Sequence, residues 1–290
     1  MRSEQTVDVG GCSVRLTHLD RVLYPATGTT KAEVVDYYAR IAHVLLPQLR
    51  DRPVSRVRFP RGVGAPSFVE KNVPGGAPSW VRRQLLHAEP EDDGSTEVEF
   101  PFIDDVAGLV WSANLSALEL HTPQYRVGPR GGFRGVDRLV VDLDPGDGTG
   151  LAECSAVAHL VAERLGDGGL DAVPVTSGSK GMQLYASWPS SAAGSTRDYA
   201  KALAEGLARD HRSLVVSDMK KVLRRGKVLV DWSQNHLAKT TVTPYSLRGR
   251  DQPRVAAPRA WDEVGDDLQQ LSPAQVLERV DRDGDLLAGS

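Results

Sequence analysis

Cysteine is scarce in this 290-residue chain: Cys12 and Cys154 stand far apart and suggest no thiolate metal spacing. Long hydrophobic runs are missing too, with nothing near the ~18 residues that a membrane span requires. The N-terminus, MRSEQTVDVGG, lacks the apolar segment of a secretory signal. These absences lead us to expect a reducing cytoplasm, with no membrane partner. Repeats, low-complexity tracts and a convincing linker are also absent, so a single domain over 1–290 is expected. The net charge of -3 excludes a uniformly basic nucleic-acid binder. What is present, 40% hydrophobic and 25% charged residues, belongs to an ordinary globular protein with ample length for a core.

The charges are unevenly placed. Residues 89–105 hold eight acids and no Lys or Arg, whereas residues 212–259 hold eleven Lys or Arg against three Asp. Either these are solvated faces that average out, or one part of the surface is strongly positive.

Local patterns predict a mixed fold. A Thr cap and apolar residues at helical spacing predict a helix over about 31–46, with Lys31 in its first turn, where free N–H groups suit an anion. The run VWSANLSALEL predicts a helix over 110–120 leading to His121. A strand at 137–143, a helix at 151–165, two short strands flanking SGSKG, a helix at 196–210, a strand at 228–232 and a final helix from Ser272-Pro273 through Val280 follow. The class is α+β with largely antiparallel strands.

Within RLVVDLDPGD (138–147), Asp142 and Asp144 interrupt an apolar strand. Alternation along an extended chain sends both acids to one face and Leu143 to the other. Two such carboxylates repel unless a divalent cation favours both ionised forms. Asp231 lies in a second apolar strand, VLVDW. Two acids at spacing two with a third from a neighbouring strand are what a two-metal phosphoryl-transfer site needs around Mg²⁺ or Mn²⁺. A calcium loop from Asp142, Asp144 and Glu153 is disfavoured because Asp147 replaces the required Gly at its sixth position. Acids that merely cap turns remain an alternative at this point. Thr176-Ser177-Gly178-Ser179-Lys180-Gly181 offers hydroxyls, an ammonium and permissive backbone, either a phosphate cradle or a plain hairpin turn. Arg248, in YSLRGR, adds a fork-shaped phosphate donor or a solvated loop residue.

Taken together, VLYPATGTTK (22–31), LELHTPQ (118–124), VVDLDPGDG (140–148), PVTSGSKG (174–181), GKVLVDWSQN (226–235), KTTVTPYSLRGR (239–250) and DGDLL (283–287) resemble one family over nearly the whole chain. It is the polymerase domain of bacterial ligase D and its stand-alone relatives, within the archaeo-eukaryotic primase-polymerase superfamily. The resemblance implies a primase-polymerase-like α+β core of antiparallel or mixed sheets flanked by helices. It makes Asp142, Asp144 and Asp231 the catalytic metal ligands for two Mn²⁺ or Mg²⁺ ions. Ser177, Ser179, Lys180 and Arg248 become triphosphate contacts of an incoming NTP or dNTP, with His121 near its sugar and phosphates. Arg21 and Lys31 become the grip on the 5′-phosphate across a DNA gap, and Phe68 a template-stacking ring. By the same resemblance, about 1–130 handles DNA ends and template, and about 131–260 carries the metal and nucleotide site.

Three positions depart from the family pattern: Gln183 replaces a His beside the phosphate turn, Val69 a second aromatic after Phe68, and Val57 a frequent Lys. Gln183, still counted among the nucleotide contacts, can donate only a neutral hydrogen bond. The expected function is template-dependent nucleotidyl transfer that fills gaps or extends broken DNA ends in non-homologous end joining, in the bacterial nucleoid. Ku and an ATP-dependent DNA ligase are the implied partners. Two other readings are a metal-dependent nuclease using the same acids and a DNA-end-binding or bridging module with weakened catalysis.

Overall fold

The computed structural model describes residues 4–87, 96–189 and 195–288. Residues 89–95 of the acidic 89–105 segment therefore lie outside the described residues. Among those described, no helix is long and apolar enough to cross a membrane.

A six-stranded central sheet organises the chain. Its order is Val215–Val216, Val228–Asp231, Arg138–Pro145, Met182–Ser187, Ala172–Thr176 and Ala257–Pro258. All neighbours are antiparallel except the first two strands, which are parallel. Leu139, Val141 and Leu143 share one face and pack against the helices Leu151–Asp167 and Thr196–Asp210, whereas Val140 belongs to the core on the other face. The alternation expected from the sequence is therefore realised, and Asp142 and Asp144 lie on the Val140 face. This is the α+β arrangement expected.

A second sheet, ordered Thr241–Val242, Ala117–Thr122, Ser55–Arg58 and Phe68–Glu70, takes its first strand from late in the chain. That strand pairs Val242 with His121. The N-terminal and C-terminal portions are thus laced together beside the central sheet.

Two elements differ from expectation. The helix predicted over 31–46 is two helices, Lys31–Arg40 and Ala42–Leu49, kinked at Ile41. Ile41, at ψ -5°, is both the C-cap of the first and the N-cap of the second, and Pro47 stands inside the second helix. The helix predicted over 110–120 is Val106–Asn114, capped by Asp105, and ALELHT is the strand Ala117–Thr122. Ser116, at φ 59°, reverses the chain between them. The apolar content of LSALEL fits either period, and burial between two neighbouring strands decides for extended structure. The predicted strand at 228–232 ends at Asp231, where a short 3-10 turn begins, and the last helix runs Pro273–Asp283.

Candidate active site

Sheet register brings the acids together. Asp142 lies opposite Asp231 on one neighbouring strand and opposite Gln183 on the other. Asp144 follows two residues along, on the same face. One carboxylate oxygen from each of Asp142, Asp144 and Asp231 lies within 4.8 Å of the others. Turn-capping does not account for Asp142 and Asp144, which sit in the ladder itself.

Asp231 is held by its own turn. Its Oδ1 accepts from the Ser233 N–H at 2.8 Å and the Ser233 hydroxyl at 2.6 Å, and its Oδ2 accepts from Gln234 Nε2 at 2.9 Å. Asn235 then completes the sheet where the strand stops: its amide accepts from Val140 N at 3.0 Å and donates to Val140 O at 2.6 Å. The sequence WSQN after Asp231 is thus a clamp that fixes the third acid.

Burial, then Asp144 and Asp231, push the Asp142 carboxyl well above the usual carboxylate range; Gln183 and Arg248 oppose without cancelling. Asp144 opens to solvent, yet desolvation and Asp231 raise it too, against Arg224 and Arg248. Three hard oxygen donors that repel one another fit Mg²⁺ or Mn²⁺ better than a soft metal. When bound there, divalent cations supply Lewis-acid activation of a hydroxyl and counter-charge for phosphate oxygens.

Asp142 and Asp144 line a cleft of about 1060 Å³ together with His121, Ser177, Ser179, Lys180, Gln183 and Arg248, while Asp231 is buried beside them. The turn Thr176–Gly181 is built for close approach. Gly178 sits at φ 67°, and a Cβ on Gly181 would lie 2.0 Å from Leu143 O, so only glycine lets this loop pack on the acid-bearing strand. Ser177 Oγ accepts from Ser179 N at 3.2 Å, and Gln270 braces the loop by accepting from Gly178 N at 2.7 Å and donating to Gly181 O at 3.0 Å.

Glu119 ties the adjoining wall, where Arg248 Nη1 also donates to Ser177 O of the turn at 2.8 Å. Burial favours its neutral form, but His121, Arg248 and the Gly249 N–H outweigh that and hold the carboxyl down at about 2. His121 Nε2 lies 2.8 Å from Glu119 Oε2, Arg248 Nε 3.3 Å from the same oxygen, and Gly249 N donates to Oε1 at 2.9 Å. One buried carboxylate thus orients both the imidazole and the guanidinium toward the cleft.

Arg21, Lys31 and Phe68 are not in this cleft. They form a separate locus with Arg58, whose guanidinium lies 5.3 Å from the centroid of the exposed Phe68 ring. The expectation of free N–H groups beside Lys31 is not met. Lys31 N donates to Arg21 O, Ala32 N to Leu19 O, and Glu33 N to the Thr30 hydroxyl of a capping box. Lys31 itself is buried, with Nζ donating to Thr17 O at 2.7 Å and Asn114 O at 2.8 Å. Burial, then Arg21 and Arg58, bring its ammonium down to about 8. Positive charge here comes from side chains rather than from the helix end.

The sequence reading missed Glu119, Gln270 and Asn235, as well as Arg224, Arg250 and Arg254 on the cleft wall. The three arginines carried a signal, the basic 212–259 segment. Glu119 and Gln270 act through the loops they brace, which spacing does not reveal.

The chain matches the family model of the LigD primase-polymerase domain over residues 30–287. It belongs to that family. It is 48% identical over 282 residues to the multifunctional non-homologous end joining DNA repair protein LigD of Mycobacterium tuberculosis, covering 94% of this chain and 36% of that protein. It is 47% identical over 279 residues to the LigD of Mycolicibacterium smegmatis, with 95% and 36% covered. Identity is 30% over 278 residues to the bifunctional LigD of Bacillus subtilis, with 93% and 43% covered. The chain thus spans little more than a third of the mycobacterial relatives. A solved polymerase domain of M. tuberculosis ligase D, in complex with DNA, superposes with a TM-score of 0.88 at 48% identity, covering 94% of this chain and 96% of that one. The domain is a nucleotidyltransferase of the primase-polymerase type.

Proposed function

We propose that this domain performs template-dependent nucleotidyl transfer at gapped or broken DNA during end joining. The observation that carries the reading is the register that sets Asp142 between Asp231 and Gln183, on a strand against which the Ser177–Gly181 turn packs in the same cleft. Acids for cations adjoin a loop whose hydroxyls, N–H groups and Lys180 suit a triphosphate. Arg248 is oriented by Glu119 to neutralise phosphate charge, and His121 is held where the sugar or phosphates of the nucleotide would lie. Asp142, Asp144 and Asp231 would together hold two Mn²⁺ or Mg²⁺ ions, the arrangement used for in-line phosphoryl transfer.

Arg21, Lys31 and Arg58 supply a second positive locus, suited to a 5′-phosphate across the gap, with Phe68 exposed beside it to stack on a template base. DNA handling then falls mainly to the N-terminal portion and chemistry to about 131–260, although His121 reaches across. By analogy with the end-joining relatives, Ku and an ATP-dependent ligase are the partners.

The deciding experiment is nucleotide incorporation on short gapped DNA carrying a 5′-phosphate, with Mn²⁺ or Mg²⁺, comparing ribo- and deoxyribonucleotides. Templated extension that Asp144→Ala abolishes is expected. Strand degradation instead would make the domain a nuclease, and tight binding with neither product an end-binding module. Gln183 does not favour the last reading, because its amide serves Asp142 without needing a positive charge.

A further inference from the structure

Four guanidinium groups gather at the other end of the strand that carries the acids. Arg138 opens the strand Arg138–Pro145, and four residues of extended chain, about 13 Å, separate it from Asp142. A cavity of about 500 Å³ lies there, where Arg50, Arg52, Arg126 and Arg138 meet two acids, Asp137 and Asp285. It shares no lining residue with the catalytic cleft.

Both acids are already engaged. Asp137 accepts from Arg52 Nη2 through one oxygen, at 2.7 Å, and from Arg126 Nε through the other. Asp285, from the DGDLL stretch, accepts through Oδ1 from the Tyr245 hydroxyl and the Leu287 N–H. Arg138, only 8% exposed, makes no ion pair with a carboxylate of the described residues. Its partners are neutral: Nε donates to Gln124, Nη1 to Gln48 and Nη2 to Thr122, and the guanidinium lies 5.0 Å from the centroid of the Tyr185 ring. Arg52, 2% exposed, keeps its Nε buried with no hydrogen-bond partner.

Buried guanidinium groups stay ionised, so like charges held this way repel with little water to screen them. Burial, then Arg138, hold the Arg52 guanidinium below its ordinary value, with Asp137 opposing. The cavity mirrors the acid cluster: there carboxylates lack a cation, and here arginines lack an anion. Guanidinium forks grip phosphate oxygens two at a time. We propose that this cavity binds a phosphate group, gripped by Arg50, Arg52, Arg126 and Arg138, as a site separate from the catalytic cleft and from the Arg21–Lys31 locus. Free phosphate and a phosphodiester of duplex DNA offer the same chemistry. The site stands on its own residues and does not depend on the polymerase reading.

The test is titration calorimetry with inorganic phosphate, without divalent cations and at constant ionic strength, on the Arg21→Ala/Lys180→Ala chain, whose cleft turn and N-terminal locus each lack a cation. Saturable binding of one phosphate per chain is expected within the millimolar range. Adding Arg50→Glu should weaken it at least about tenfold, the loss of one charge-assisted contact, and adding Arg126→Gln severalfold. Arg50 is exposed, so its replacement spares the core, and an unchanged melting temperature checks this. In an arginine-selective ¹⁵N spectrum, the Arg52 Nε–H signal, assigned by its loss in Arg52→Lys, should shift on phosphate addition. No saturable binding, binding indifferent to both substitutions, or an unmoved Arg52 signal overturns the proposal.

Fluorescence anisotropy of an unphosphorylated blunt duplex then separates the two sources. Duplex binding that Arg50→Glu weakens and inorganic phosphate displaces supports the site with DNA as its ligand. Duplex binding indifferent to both, beside calorimetric binding that Arg50→Glu removes, supports it with a free phosphate.

Discussion

The Tyr185 hydroxyl donates to Gln183 Oε1 at 2.9 Å, two residues along the same strand. This contact is the last link but one in a buried chain of donors. Arg138 Nε donates to Gln124 Oε1 at 2.8 Å, and Gln124 Nε2 donates to Thr241 Oγ1 at 2.8 Å. Thr241 Oγ1 lies 3.2 Å from the Tyr185 hydroxyl, and Gln183 in turn hydrogen-bonds Asp142. A guanidinium can only donate, so Arg138 sets the sense of the series as far as the Tyr185 hydroxyl, and with that hydroxyl's proton on Gln183 Oε1 the Gln183 amide presents N–H to Asp142. Val242 O, at 3.1 Å, is the other acceptor within reach of that single proton, and a flipped Gln183 amide would aim its oxygen at the ionised Asp142.

Tyr185→Phe is therefore expected to cost about 1–2 kcal/mol of stability, because buried acceptors lose their donor. It should also weaken Mn²⁺ binding severalfold, since the Gln183 amide loses its fixed orientation. Calorimetric titration of Mn²⁺, with Thr241→Val as a second variant, checks the direction. Unchanged Mn²⁺ affinity in both would show that the chain of donors serves only packing.

The acid cluster makes a prediction with opposite signs for the free and cation-bound protein. Raised carboxyls in the fold favour the protonated state, so their contribution is best below the unfolded value near 4 and is lost as pH rises through the folded values. Without divalent cations, Asp144→Asn should raise the melting temperature at pH 7 by about 2 °C. With Mn²⁺ the order should reverse, and the Mn²⁺-induced rise of the wild type should grow between pH 5 and 7.5. Thermal melts over that range, with and without Mn²⁺, decide.

Much of this site was legible in the sequence because its signals were local. Alternation placed Asp142 and Asp144 on one face, as the register bears out, and a glycine-bounded turn marked the loop that packs against them. ALELHT was misread because its apolar content suits both periods, and only the neighbours on either side of it force the strand. The surroundings of Lys31, rather than its proposed role, differ from expectation for another reason. A lysine at a helix start looks solvent-facing in one dimension, whereas Thr17 and Asn114, distant in sequence, bring two carbonyls to its ammonium. Gln124, Thr241 and Tyr185 escaped notice because each is an ordinary residue whose role exists only in the buried series.

Glu119 offers a test of how the His121 and Arg248 wall of the cleft is held. Its depressed carboxyl adds stability that is present above the unfolded value near 4.3 and lost as pH falls toward about 2. Glu119→Gln should cost on the order of 2 kcal/mol at pH 7, with the deficit closing as the pH is lowered from about 4.5 to 2.5. Because His121 and Arg248 both lean on this carboxylate, KM for the nucleotide should rise more than kcat falls. Urea melts across pH and steady-state incorporation measure the two effects, and a pH-independent deficit would contradict the electrostatic account.

If Arg21 and Lys31 hold a 5′-phosphate as proposed, Lys31 links that binding to pH. Its ammonium lies at about 8 in the fold against about 10.4 in an unfolded chain, so folding disfavours its charge and stability rises as pH passes from 8 toward 10. A phosphate placed by Arg21 and Lys31 would favour the ammonium again, so binding above pH 8 should take up a proton. The affinity ratio of 5′-phosphate to 5′-hydroxyl gaps is therefore expected to fall severalfold between pH 7 and 9. In Lys31→Met the ratio should be lower and flat with pH, while the permanently charged Arg21 retains part of it. The variant also strips donors from Thr17 O and Asn114 O, costing about 1–2 kcal/mol, so the ratio rather than the absolute affinity is the proper readout. Calorimetry in two buffers of different ionisation enthalpy counts the proton directly. No uptake at pH 8.5 would remove Lys31 from the phosphate grip and leave it as the clamp between the two carbonyls.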